Sequence, residues 1–82
     1  METVTFLGCG SWGGALGKLL SEKGAVVTMW HRKAKVVNHL INTQTHYLLP
    51  ELIFPSDVKF TNDISSAIKS SEIIVLALPS QS

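Results

Sequence analysis

The feature that most restricts the fold of this chain is a glycine pattern near its N-terminus, GCGSWG at residues 8–13. The pattern follows residues 3–7, a short run of β-branched and apolar residues that is typical of a buried strand. It opens residues 11–23, in which apolar side chains recur at helical spacing. A strand, a tight turn and a helix are the context in which such a pattern binds a dinucleotide.

Each glycine of the pattern has its own task in such a site. Gly8 permits the tight turn off the strand, Gly10 lets a diphosphate approach the backbone, and Gly13 lets the helix press against the strand. The N–H groups at the start of the helix then face the phosphates with the positive end of the helix dipole. The alternative is a βα turn in which the glycines serve packing alone.

The rest of the chain continues the alternation of strands and helices. Strands are predicted at residues 25–30, 58–60 and 72–78, and helices at residues 33–42 and 64–69, the last one capped by Asp63. The alternation predicts an α/β fold, a Rossmann-like doubly wound parallel sheet, of which the chain holds an incomplete βαβαβαβ portion. Residues 72–78 read as a central strand covered on both faces, but no helix follows them in these 82 residues. We therefore expect a partial N-terminal domain, residues 1–82, with part of its apolar sheet exposed.

Composition excludes several classes of protein. Apolar residues make up 45% of the chain and the net charge is +1, which predicts a packed core and no general attraction to nucleic acid or to a membrane surface. The longest apolar run, residues 73–79, is too short to span a bilayer, and a single cysteine forms no internal disulfide. His31, His39 and His46 are not spaced as metal ligands. We expect a soluble, cytoplasmic protein without a metal site.

The residues after the second predicted strand bear on the choice of cofactor. NAD sites place a carboxylate there for the ribose 2′-hydroxyl, whereas this chain has His31, Arg32 and Lys33. Arg32 can form two hydrogen bonds to a 2′-phosphate and Lys33 adds a positive charge. The pattern favours NADP(H), with NAD(H) as the second choice; alternatively, both cations are only solvated residues at the start of the second helix.

Three side chains in or beside the glycine loop have simpler explanations. Ser11 is either a cofactor contact or a helix N-cap, and Trp12 is either a cofactor contact or one of the core residues of the first helix, with Leu16, Leu19 and Leu20. Cys9 lies near a helix N-terminus, where a thiol pKa can fall, but any small residue would serve at that position.

Four segments together resemble a known family. They are LGCGSWGGALGKLL at residues 7–20, VTMWHRK at 27–33, YLLPELIFPSDVKFTNDI at 47–64 and IIVLALPSQS at 73–82. In this order they resemble the N-terminal domain of bacterial NAD(P)-dependent glycerol-3-phosphate dehydrogenases. The serine and tryptophan after the second glycine, and the Pro-Ser ending, are more specific than the glycines alone.

The resemblance implies cofactor contacts from Ser11, Trp12, Arg32 and Lys33, with His31 as a further candidate. It implies that Pro79 and Ser80 lie beside the nicotinamide. The family often has threonine where this chain has Gly14, a change expected to loosen the first helical turn. Leu48 stands where the family usually has a cofactor-contacting tyrosine, and Tyr47 is one position early.

The resemblance also implies an activity for the intact protein. Family members transfer a hydride between NAD(P)H and dihydroxyacetone phosphate, a small phosphorylated substrate, and form sn-glycerol 3-phosphate for phospholipid synthesis. Their substrate groups lie in a second, helical domain that is absent from these residues, so we expect no catalytic residue here and cofactor binding only. A homodimer is a family-level expectation for the intact protein.

Two other functions stay open at this stage. One is a non-catalytic Rossmann module that binds NADP(H), and the other is a different reductase of the same fold. FAD and S-adenosylmethionine have no 2′-phosphate, so Arg32 and Lys33 argue against them.

Overall fold

Four parallel strands form one sheet in the computed structural model, which describes residues 2–69 and 71–77. The strands are β1 (Thr3–Leu7), β2 (Val26–Trp30), β3 (Lys59–Thr61) and β4 (Ile73–Leu76), and the helices are α1 (Ser11–Glu22), α2 (Ala34–Thr43) and α3 (Ile64–Lys69). The strand order is β3-β2-β1-β4, so the chain first builds outward from β1 and then crosses back to its other side. The predicted α/β Rossmann-like fold is confirmed, with element ends displaced by a residue or two.

Helices lie on both faces of the sheet. Because successive residues of a strand point to opposite faces, Phe6 of β1 lies towards α1 and α2, while Thr5 lies towards α3. The Thr5 hydroxyl donates a hydrogen bond of 2.8 Å to the Ala67 carbonyl and so ties α3 to β1. The principal core lies on the α1 side. Its buried apolar residues include Val4, Phe6, Cys9, Val27, Met29, Leu40, Phe54 and Val58.

The buried face of α1 consists of small residues, contrary to the prediction from apolar spacing. Trp12 and Leu19 are 64% and 47% exposed, whereas Leu16 and Leu20 are partly buried and pack against the core, as predicted. The buried positions are Gly13, Gly14, Gly17 and Ser21. A Cβ on Gly17 would lie 2.6 Å from the Met29 Cε. The helix therefore lies so close to the sheet that large side chains are forced to its flanks and outer face.

The long connection between α2 and β3 is irregular, and its two prolines, Pro50 and Pro55, are incompatible with a regular helix there. Gln44 ends α2 in the left-handed region at φ 56°, and an isolated antiparallel bridge then joins Thr45 to Ile53. Phe54 and Val58 anchor the connection in the core. The predicted capping of α3 is confirmed, since the Ser66 N–H donates to Asp63 Oδ1 at 3.2 Å.

Strand β4 lies at the edge of the sheet formed by the described residues, not at its centre. Ile73, Ile74 and Leu76 are 41%, 46% and 71% exposed, so the predicted cover on both faces is wrong for this chain. Among the described residues, no element covers these side chains. The predicted strand end at Leu78, and Pro79 and Ser80 after it, lie outside the described residues.

Within residues 2–69 and 71–77, no helix is both long enough and apolar enough to cross a bilayer.

Replacing Gly13 by alanine is expected to destabilise the fold. The added Cβ would lie 2.8 Å from the Ala77 Cβ, which is fixed to the backbone and has no rotamer to move into. Helix propensity favours alanine by about 1 kcal/mol, but overpacking against a rigid neighbour costs about 1–3 kcal/mol. We expect a net fall in the free energy of unfolding, measured by urea denaturation of the intact protein.

The matched control is Gly10→Ala, because a Cβ at Gly10 meets no atom within 4 Å. A loss of stability that is as large for Gly10→Ala as for Gly13→Ala would contradict the packing argument.

Candidate functional site

The glycine loop leaves β1 through a backbone conformation that only glycine adopts easily. Gly8 has φ 117°, and its N–H donates a hydrogen bond of 2.9 Å to the carbonyl of Trp30 at the end of β2. That bond extends the β1–β2 ladder, in which Leu7 lies opposite Trp30. The loop and the residues after β2 therefore start side by side at the carboxyl edge of the sheet, where ligands bind in open α/β folds.

The start of α1 offers backbone N–H groups that the described residues do not use. The first intrahelical bond runs from the Gly14 N–H to the Gly10 carbonyl at 2.8 Å. Gly10 is the N-cap and provides no side-chain bond, and the first turn holds no acidic residue. Within residues 2–69 and 71–77, the amides of residues 11–13 have no hydrogen-bond partner. These donors and the helix dipole together form an environment that suits an anion.

The side chains around these amides leave the loop open. A Cβ built on Gly10 meets no atom within 4 Å, so the space in front of it is free. Ser11 is exposed and is the first residue of the helix rather than its N-cap, which rules out the alternative of a capping serine. Trp12 is 64% exposed, so it does not fill the core. Both side chains are free to contact a ligand at the loop.

The basic residues follow β2 at the same edge of the sheet. His31 continues the strand, because its N–H donates to the Thr61 carbonyl at 3.0 Å. Arg32 and Lys33 are exposed, and Lys33 is the N-cap of α2, whose first turn holds no acidic residue. Two cations thus stand beside the glycine loop, and the local sequence provides no carboxylate to neutralise them.

His31 is bound into this turn differently from the two cations. Its Nδ1 accepts a hydrogen bond of 3.0 Å from the Lys33 N–H. Burial lowers the pKa of His31, and the neighbouring charges of Lys33 and Arg32 lower it further. The ring is therefore neutral at pH 7 and orders the backbone of the turn, rather than adding a third positive charge.

The sequence left Tyr47 and His46 without a role, and the structure brings both to this edge. Tyr47 is half-buried, stacks on His46 with ring centroids 4.8 Å apart, and meets His31 edge-on at 5.5 Å. Burial raises the pKa of Tyr47. Leu48 is 59% exposed. The sequence signal for Tyr47 was its place beside Leu-Leu-Pro, whereas nothing in the spacing of the histidines pointed to His46.

His46 links the α2–β3 connection to the glycine loop. It is 1% exposed, and its Nε2 lies 3.0 Å from the Cys9 carbonyl and 3.1 Å from the Gly10 carbonyl. Its Nδ1 accepts hydrogen bonds from the N–H groups of Leu48 and Leu49 at 3.0 and 3.2 Å. Both ring nitrogens are therefore used inside the protein.

Cys9 is a packing residue of the loop. The side chain is 2% exposed and its Sγ lies 3.7 Å from Met29 Sδ. Burial raises the pKa of the thiol to about 12, which outweighs any effect of the nearby helix N-terminus. Within the described residues, no three His, Cys, Asp or Glu side chains are grouped to hold a metal ion.

Cys9 is expected to resist alkylation in the folded protein. At pH 8 the buried thiol stays protonated, and the thiolate is the form that reacts with iodoacetamide. Mass spectrometry should find unmodified Cys9 under native conditions and full modification in urea. Because the unfolded thiol ionises near its ordinary pKa of 9.0 and the folded one at about 12, stability should fall as pH rises through that interval. Fast labelling of the folded chain at pH 8 would contradict this account.

Comparison with known proteins gives a consistent result. The family described as "NAD-dependent glycerol-3-phosphate dehydrogenase N-terminus" matches residues 3–82. A protein of Clostridium acetobutylicum named glycerol-3-phosphate dehydrogenase, NAD(P)+, is 44% identical over 82 residues, which is 98% of this chain and 24% of that protein. A protein of Lactobacillus delbrueckii subsp. bulgaricus with the same enzyme name is 38% identical over 80 residues, with the same coverage of 98% and 24%.

A solved structure agrees with the sequence comparison. The crystal structure of glycerol-3-phosphate dehydrogenase from Coxiella burnetii superposes with a TM-score of 0.84 at 26% identity, covering 92% of this chain and 23% of that one. The chain thus spans about a quarter of the length of the relatives that it matches. Sequence and fold lead to one conclusion: the chain belongs to the NAD-dependent glycerol-3-phosphate dehydrogenase family, whose N-terminal part it matches.

Proposed function

We propose that this chain is the nucleotide-binding part of an NAD(P)-dependent glycerol-3-phosphate dehydrogenase. The observation that carries the proposal is the row of unused amides at the start of α1, next to an open Gly10 and beside an uncompensated pair of cations. A diphosphate fits the first feature and a phosphorylated ribose fits the second. The names of the relatives support the same cofactor and reaction.

The residues of this chain divide the work of holding the cofactor. Gly8 sets the turn, Gly10 leaves room for the diphosphate, and the amides of residues 11–13 donate to it, with Gly13 keeping the helix in place. Ser11 and Trp12 offer an exposed hydroxyl and an exposed indole beside those amides.

The other half of the proposed site is the turn after β2. Arg32 and Lys33 bind the 2′-phosphate of NADP(H), and neutral His31 holds the turn in shape through its bond to the Lys33 N–H. NADP(H) is preferred over NAD(H) because the local sequence has no carboxylate to accept a ribose 2′-hydroxyl.

In the intact protein, a bound reduced nicotinamide would give a hydride to the carbonyl carbon of dihydroxyacetone phosphate, and the oxidised form would accept one from sn-glycerol 3-phosphate in the reverse direction. None of the described residues is proposed to act on that substrate. This chain contributes orientation of the cofactor and electrostatic stabilisation of its phosphates, which is the usual share of such a domain.

Gly10→Ala is expected to weaken NADPH binding without unfolding the protein. Gly10 has φ −74°, which alanine adopts freely, and the added methyl would project into the open space in front of the loop. The methyl would hold the diphosphate away from the amides, so we expect the Kd for NADPH to rise at least tenfold, or about 1.4 kcal/mol. Nicotinamide fluorescence measures the Kd, and circular dichroism checks the fold. An unchanged Kd would refute the proposed role of the loop.

Arg32→Asp is expected to lower the affinity for NADPH and to spare or improve that for NADH. A charged hydrogen-bonding group contributes about 1.5–3 kcal/mol, so the Kd for NADPH should rise by one to two orders of magnitude. The control is Lys23→Asp, which makes the same change of net charge at the far end of α1, about 18 Å along the helix. Equal losses in the two variants, or an unchanged preference between NADPH and NADH in Arg32→Asp, would contradict the assignment.

A further inference from the structure

The buried histidine of the α2–β3 connection has hydrogen bonds that define its protonation state. The N–H groups of Leu48 and Leu49 can only donate, so the Nδ1 that accepts from both carries no proton. The proton of the neutral ring is therefore on Nε2, which donates to the carbonyls of Cys9 and Gly10 at 3.0 and 3.1 Å. The hydrogen bonds at Nδ1 fix the orientation of the ring within its own segment, and the hydrogen bonds at Nε2 join the ring to the glycine loop.

Holding these two carbonyls also orients two amides. A trans peptide is planar, and its C=O and N–H point in opposite directions. The Cys9 carbonyl shares a peptide with the Gly10 N–H, and the Gly10 carbonyl shares one with the Ser11 N–H. His46 binds the Cys9 carbonyl and shares the Gly10 carbonyl with the Gly14 N–H, which donates to it at 2.8 Å. The N–H groups of both peptides therefore point away from His46, to the opposite side of the loop.

The surroundings of His46 keep the ring in this position. Tyr47 stacks on it at 4.8 Å with planes 18° apart, and Phe54 lies 6.2 Å away. A Cβ on Gly14 would lie 2.6 Å from the ring Cδ2 and 3.0 Å from Nε2. From the sequence, we expected Gly14 only to loosen the first turn of α1. The structure gives this glycine a packing role, because the absence of a side chain leaves the space that the His46 ring occupies.

We propose that His46 is a positioning residue of the dinucleotide site, which orients the Gly10 and Ser11 amides for the diphosphate through the two carbonyls. It does not touch the cofactor. This inference rests on the proposed function, since it concerns the same loop. It adds that the affinity of the loop depends on a side chain 36 residues from Gly10 in sequence.

Two substitutions separate the two sides of the ring. In His46→Gln, the side-chain amide reaches about as far as the ring Nε2 and can still donate to the loop carbonyls. In His46→Asn, the shorter side chain keeps an acceptor near the Nδ1 position for Leu48 and Leu49 but does not reach the loop. If His46 acts only on the α2–β3 connection, His46→Asn should keep the affinity for NADPH. If His46 acts on the glycine loop, His46→Gln should keep it.

The experiment measures the Kd for NADPH and the thermal unfolding of wild type and both variants of the intact protein. We expect the wild type to bind NADPH and His46→Gln to have a Kd within about threefold of the wild-type value. For His46→Asn we expect a Kd at least tenfold higher, which corresponds to about 1.4 kcal/mol. In steady-state assays the loss should appear in KM for NADPH and leave kcat at saturation unchanged. Equal binding by wild type and His46→Asn would overturn this inference alone, whereas no binding by wild type would overturn the proposed function.

A measurement on wild type covers the case in which neither variant folds. Two-bond ¹H–¹⁵N spectra of the histidine rings report which nitrogen carries the proton. We expect His46 to show the Nε2–H tautomer, with a shift of the Nε2 resonance when NADPH is added. An Nδ1–H tautomer, or a ring that does not respond to saturating NADPH, would overturn the inference.

Discussion

The close approach of α1 to the sheet is the constraint on which the rest of this structure depends. At Gly13 and Gly17 the space for a Cβ is already taken by Ala77 and Met29, so the helix touches the strands through its backbone. This contact fixes where the helix begins, directly after the positive-φ turn at Gly8. Its unused amides therefore stand at the carboxyl edge of the sheet rather than over its face. The small residues of α1 thus determine both how the helix packs and where its unused amides lie.

The glycine loop and the basic turn after β2, the two halves of the proposed site, are held relative to each other by the sheet. The Gly8 N–H is bonded to the Trp30 carbonyl, so the glycine loop and the basic turn start from neighbouring positions of one ladder. The glycine loop and the basic turn therefore begin one strand spacing apart, which is about 4.8 Å.

The sequence predicted the order of elements and the position of the loop because strands, glycines and caps are local signals. It failed where the outcome depends on contacts distant in sequence. The apolar spacing of α1 predicted Leu19 as core and left Trp12 as either core or cofactor contact, but close packing favours small residues at the contact and leaves both exposed. His46 was missed for the same reason, since its partners Cys9 and Gly10 come together with it only in the folded chain. The central position predicted for β4 was wrong because strand order depends on pairing between distant segments, and β4 pairs with β1 alone among the described residues.

The central claim is that the backbone at the start of α1 binds the diphosphate of a nicotinamide dinucleotide. Amide ¹H–¹⁵N spectra during a titration with NADPH test it most directly, because each loop residue reports separately. The account predicts saturable shifts that are largest at residues 10–13, with a second group at residues 31–33. Saturable binding whose shifts fall elsewhere in the chain, with the loop amides unmoved, would contradict it.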